Sequence, residues 1–138
     1  MAIIAVDFDG TIVTHEYPEI GKEVPGAIET IKVLQKNGHD VFLWTMRDKL
    51  ELQEAIAYLE DKGIYLNGYN RSPAQFSSSL KQYASIYVDD AALGCPLIYP
   101  DQGRPYVDWS GVMHNLLVYK LITLEQYNEI YKISFPGR

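Results

Sequence analysis

Ala2-Ile3-Ile4-Ala5-Val6-Asp7-Phe8-Asp9-Gly10-Thr11 opens on apolar residues and closes on two carboxylates, a glycine and a hydroxyl. Such a run reads as a strand buried on both faces that delivers its polar end to a site. Open parallel sheets bind ligands beyond the carboxyl ends of their strands, and Asp7 and Asp9 fall there. Asp and Gly are also ordinary turn residues, so the D-x-D-G spacing needs support from the rest of the chain.

That support accumulates in order. Residues Ile12 to Val24 read as a loop or short hairpin over the strand end. Pro25 suits a first helical turn; Val24, Ile28, Ile31 and Leu34 form an apolar stripe, and Asn37-Gly38 supplies the stop. Asp40 to Thr45 is a second strand that turns from apolar to hydrogen-bonding at its end. Asp48 and Glu51 resemble a capping box for a helix carrying Leu52, Ala55, Ile56 and Leu59, which stops at Gly63. Ile64-Tyr65-Leu66 is expected as a short third strand and Pro73 to Leu80 as a helix weakened by its serines. Ile86-Tyr87-Val88 is a strand ending on Asp89-Asp90, and Cys95 to Tyr99 is expected as a fifth. A turn at Asp101 to Arg104 and two helices follow, near Ser110 to Leu121 and from the Thr123 to Gln126 capping box. Strands alternating with helices predict an α/β fold: a Rossmann-like three-layer sandwich with a central, mostly parallel sheet.

The 138 residues predict one domain spanning 1–138. With 47% hydrophobic and 22% charged residues the chain reads as globular, and no apolar stretch reaches the ~20 residues of a membrane span. The N-terminus lacks a basic region and a small-residue cleavage site, so the expected location is cytoplasmic. The single cysteine, Cys95, excludes an internal disulfide and a cysteine zinc site and reads as a packing thiol. A net charge of −6 argues against nucleic-acid binding through a broad basic face. His15, His39 and His114 are scattered and are expected to have solvent or packing roles.

In a parallel sheet the polar strand ends converge: Asp7 and Asp9, Thr45, Arg71 or its neighbours, and Asp89 with Asp90. Carboxylates gathered in this way repel one another unless a cation offsets them. Hard oxygen donors without Cys or His partners favour Mg²⁺.

Asp7-Phe8-Asp9-Gly10-Thr11, then Thr45, Lys81 and Asp89-Asp90, resemble the four ordered motifs of the haloacid dehalogenase-like superfamily over about Ala2 to Ala91. The resemblance implies a Mg²⁺-dependent phosphatase in which Asp7 is the nucleophile and Asp9 the general acid and base. It implies that Thr45 hydrogen-bonds a phosphoryl oxygen, that Lys81 offsets charge, and that Gly10 lets the chain leave the strand without a Cβ. The metal ligands it implies are Asp7, Asp89, Asp90 and the main-chain carbonyl of Asp9. Thr45 has a second reading as a helix cap, and Lys81 as a solvated lysine with Arg71 as a substitute cation. Gly10, Thr11 and Met46 are further candidates for substrate binding. Arg47, Lys49 and Arg71 are placed on loops near the site, where one is expected to bind a second anionic group.

Competing classes fit less well. An EF-hand loop would need Gly where Ile12 stands and Glu where Pro18 stands. A receiver-type aspartyl-phosphate switch would place its acidic pair on the first strand and Thr later, and a binding module with a degenerate site would be expected to have lost a carboxylate. The ~15-residue segments after the first motif and after the third strand are too short for a cap domain, which needs ~40. The expectation is therefore an uncapped phosphatase of a small phosphorylated metabolite such as a sugar or sugar acid. A macromolecular phosphoester and a phosphotransfer reaction are the alternatives. A homo-oligomeric partner is expected to help cover the site.

Overall fold

A computed structural model describes residues 1–137. The central strand β1 (Ile3–Val6) pairs in parallel with β2 (Asp40–Leu43) on one side and with β4 (Ile86–Val88) on the other. Strand β3 (Gly68–Tyr69) adds beyond β2, giving the parallel order β3-β2-β1-β4. All four β1 residues are buried because both faces of the sheet are covered.

Side chains alternate along a strand, so the two faces of β1 bury different sets. Ile4 and Val6 join Val41, Leu43 and Val88 in one continuous core. Helices α1 (Ala27–Lys36), α2 (Lys49–Asp61), α3 (Trp109–Val118) and α4 (Leu124–Ser134) fill it from above. Ile31 and Leu34 of the predicted stripe are almost fully buried, each contributing roughly 1.5–3 kcal/mol over an exposed position. Ile3, Ala5 and Phe42 face the other way and are covered by residues 70–85. There the Arg71 guanidinium lies 5.6 Å from the Phe42 ring centroid, and Gln82 Nε2 donates to the Leu43 and Arg71 carbonyls.

This third layer is thinner than the sequence predicts. The helix expected over 73–80 shrinks to a single 3-10 turn, Ala74–Phe76. Serine hydroxyls compete with helical bonding just beyond it, where Ser79 Oγ donates to the Lys81 carbonyl. The third strand also shifts, from the predicted 64–66 to Gly68–Tyr69. Asn67 is the cause: its side-chain oxygen accepts from Val41 N–H while its own N–H donates to the Val41 carbonyl, satisfying the strand edge there. Ile64 and Leu66 are buried in the core instead.

The expected fifth strand is β5 (Leu97–Ile98), which leaves the main sheet and pairs with β6 (Tyr106–Val107) in an antiparallel ribbon. The Thr123 capping box forms with both bonds, whereas Asp48 precedes α2 without a side-chain cap bond. His39 Nδ1 accepts from Ala2 N–H, so its Nε2–H donates to the Leu121 carbonyl, tying the start of β1 to the loop before α4. No described helix is long and apolar enough to cross a membrane.

Fully buried Trp109 fastens α3 to the loop after β1, donating from Nε1 to the Thr11 carbonyl at 2.7 Å. Trp109→Phe keeps an aromatic ring but leaves that carbonyl without its donor. The expected cost is about 1–3 kcal/mol in urea unfolding; an unchanged midpoint would show that the bond adds nothing.

Candidate active site

The site begins where β1 ends. Asp7 N–H still donates to the Val88 carbonyl, so the nucleophile candidate stands on the sheet itself. The Phe8 carbonyl then accepts the N–H groups of Thr11, Ile12 and Val13 in a tight turn, with the Phe8 ring fully buried. Gly10 has φ +81° in that turn, and an added Cβ would sit 2.0 Å from His15 Nε2 and 2.7 Å from Asp90 Oδ2. Only glycine fits both the angle and the space.

Asp89 and Asp90 leave the end of β4 beside Asp7, and the three offer carboxylate oxygens all within 4.8 Å of one another. Burial, a hydrogen bond shared with Asp90 and the charge of Asp89 together push the Asp7 carboxyl up to about 8. Asp89 is also raised, by burial first and then by Asp90. Thr11 is fully buried beneath the cluster, where its hydroxyl donates to Asp7 Oδ2 and accepts from Asp90 N–H, both at 3.3 Å. It braces the carboxylates instead of facing substrate. His15 Nε2–H donates to Asp90 Oδ2 at 2.8 Å, a role the sequence did not reveal.

An all-oxygen donor set that repels itself when empty fits a hard divalent cation. The side chain of Asp9 is not part of this cluster. Its two oxygens are gripped by Arg47, Nε to Oδ2 and Nη2 to Oδ1, each 2.8 Å. This corrects the expectation that Arg47 is a loop cation facing substrate: it is 1% exposed, stacked on Phe8 and Tyr17, and also bonded to the Pro18, Glu19 and Glu51 carbonyls. The Asp9 bond raises the guanidinium above its ordinary range.

A crevice of about 540 Å³ opens over these groups, bordered by Asp7, Asp9, Thr45, Met46, Asp89 and Arg104 among others. Met46 is almost fully exposed at its edge. Thr45 reaches the crevice from the end of β2, its hydroxyl accepting from Arg47 N–H and its N–H held by Asn70 Oδ1. Lys81 and Arg71 do not reach it. Lys81 lies over the Tyr87 ring in a separate groove with Phe76 and Tyr83, and Arg71 borders another with Trp44. Arg71 and Lys81 flank the helix expected over 73–80, and the wrap found there leads both onto the sheet's face, away from its edge. Arg104, expected only as part of a turn, borders the crevice, and Lys49 is exposed outside it. Cys95 does not line this crevice, and its thiol is pushed up by burial and by the charges of neighbouring Asp89 and Asp90.

A parallel α/β sheet that brings acidic residues from the inner strand β1 and its edge neighbour β4 together belongs to the class of folds that work through strand-end carboxylates. The model of the haloacid dehalogenase-like hydrolase family matches residues 4–82, more than half of the chain, and the protein belongs to that family. Asp89, Asp90 and the ribbon lie beyond the matched range. A solved structure described as a conserved protein from Bacteroides thetaiotaomicron is similar at 35% identity and a TM-score of 0.69, covering 91% of this chain and 95% of that one. No curated protein matches.

The raised Asp7 has a measurable consequence. Folded Asp7 keeps its proton up to about pH 8, whereas the unfolded chain releases it near 3.8. Folding takes up a proton in that window, so metal-free stability falls as pH rises through it. Asp7→Asn lacks this penalty. In chelator its melting temperature should exceed that of the native protein by on the order of 10 °C at neutral pH, with the gap closing toward the acid end. Millimolar MgCl₂ should then stabilise the native protein more than the variant. A gap independent of pH would refute the burial account of Asp7.

Proposed function

We propose that the protein is a Mg²⁺-dependent phosphomonoester hydrolase acting on a small phosphorylated metabolite through an aspartyl-phosphate intermediate. One juxtaposition supports this reading: half-buried Asp7 at the end of β1 shares a crevice with Asp9, Thr45 and the Asp89-Asp90 pair. The crevice volume falls in the range of small-ligand sites.

Asp7, Asp89 and Asp90 would hold the metal, with the Asp9 carbonyl as the fourth protein group. Bound there, Mg²⁺ supplies positive charge that favours the Asp7 carboxylate and offsets charge on the phosphoryl group. An Asp7 oxygen attacks phosphorus while the bond to the ester oxygen breaks, splitting one difficult displacement into two easier ones. The Thr45 hydroxyl donates to a phosphoryl oxygen and orients the group. Asp9, after its proton passes to the leaving oxygen, takes a proton from the water that attacks the aspartyl phosphate. Phosphate leaves, and both carboxyl groups return to their starting states.

Arg47 holds both Asp9 oxygens at 2.8 Å. Acting as an acid requires one oxygen to turn from Arg47 to the leaving group. Esters with poor leaving groups therefore depend most on Asp9.

Asp7→Asn should abolish phosphate release from p-nitrophenyl phosphate and from alkyl phosphomonoesters in MgCl₂. Asp9→Asn should slow the alkyl esters by about 10²–10⁴-fold. With p-nitrophenyl phosphate, whose phenolate leaves unaided, Asp9→Asn should give a stoichiometric burst of phenolate followed by slow turnover. Undiminished release by Asp7→Asn would overturn the reading.

A further inference from the structure

Arg104 lies in the turn that joins β5 to β6, exposed, on the border of the crevice that holds Asp7, Asp9, Thr45 and Asp89. Its position is built into the fold. Ile98 pairs with Tyr106 and Leu97 with Val107, so Arg104 stands two residues before the last rung of the ribbon. Val107 N–H donates to the Gly10 carbonyl at 2.9 Å, and Trp109 Nε1–H donates to the Thr11 carbonyl at 2.7 Å. The ribbon is therefore stitched to the same turn that positions Asp7 and Asp9.

The other basic groups near the site are committed. Arg47 is spent on Asp9 and three carbonyls, and His15 on Asp90. Lys81 and Arg71 border other grooves. Among the described residues, Arg104 is the basic side chain on this crevice that has no ion pair. The crevice thus has carboxylates on its floor, where a metal and a phosphoryl group would sit, and a guanidinium on its exposed border. It is also several times larger than one phosphoryl group, which leaves room for a leaving group to reach that border.

We propose that Arg104 is a specificity residue, selecting phosphomonoesters whose leaving group carries a second anionic group. The inference rests on the phosphomonoesterase reading. A guanidinium presents a planar fork of donors matched to a carboxylate and keeps its charge at every physiological pH. Its place on the border, away from the buried floor, assigns it to the leaving group and not to phosphorus.

The test uses two esters that differ in one group, 3-phosphoglycerate with a carboxylate and glycerol 3-phosphate with a hydroxymethyl. The native protein should favour 3-phosphoglycerate in kcat/KM. Arg104→Ala should lower the ratio of the two kcat/KM values about tenfold, mainly through KM, and Arg104→Lys should restore part of it. An unchanged ratio would overturn the proposal, and equal losses on both esters would move Arg104 to the phosphoryl group. A binding arm reads the same contact without turnover: in Asp7→Asn with MgCl₂, calorimetry should show 3-phosphoglycerate binding about tenfold weaker once Arg104→Ala is added. Equal affinities, or no binding in either protein, would overturn the proposal. A native protein that hydrolyses neither ester while the binding difference persists would instead refute the phosphatase reading alone.

Discussion

Burial of the Asp7 carboxyl against Asp89 and Asp90 is the constraint from which the rest of the site follows. A chain does not gather three carboxyl groups at a sheet edge without a cost, and here it appears as a carboxyl that holds its proton to about pH 8. The surroundings keep the arrangement in place. β1 and β4 are paired side by side, so the backbone fixes the distance between the two acidic strand ends. Thr11 bridges Asp7 and Asp90, His15 donates to Asp90 from the far side, and Gly10 vacates the volume that His15 enters. Each of these neighbours constrains the geometry of the cluster. The remaining imbalance is what a divalent cation would relieve.

Asp9 is treated in the opposite way. Two residues along the same turn, it is removed from the acidic cluster and given a nearly inaccessible arginine of its own. The two carboxyl groups are thus separated by their partners, Asp7 set among other acids and Asp9 set against a guanidinium. Arg47 also holds the loop after β1 through the Pro18 and Glu19 carbonyls, so the path of that loop and the placement of Asp9 depend on one side chain.

Much of this was legible in the sequence because backbone pairing does the placing. Asp7, Thr45 and Asp89 follow apolar runs directly, and parallel pairing brings them to one edge whatever the loops do. Fold class, the four helices and the acidic cluster follow from that logic. What could not be read sits on segments without periodicity. Arg71 and Lys81 flank a stretch expected as a helix, and its conversion to a wrap across Phe42 and Tyr87 places both away from the site. Arg47 looked like a free loop cation because its partners, Asp9 and the carbonyls of 18, 19 and 51, are brought to it only by the folded loop. His15 carried one faint signal: a glycine directly after a strand carboxylate marks close approach by something, though not by what.

The same tertiary effect shapes the crevice within these 138 residues. The segments after β1 and β3 are too short to fold as lids, and the expected fifth strand does not widen the sheet. Instead β5 and β6 turn out of the sheet and pair with each other, and β6 anchors on the Gly10 carbonyl. That anchor satisfies a backbone acceptor within the catalytic turn, which would otherwise need water at the base of the crevice. One hydrogen bond thus stabilises the turn and sets the distance between the acidic floor and the ribbon's exposed turn. A wall built in this way cannot swing on a hinge as an inserted domain does. On the proposed reading, selection among substrates would then fall to groups on that border.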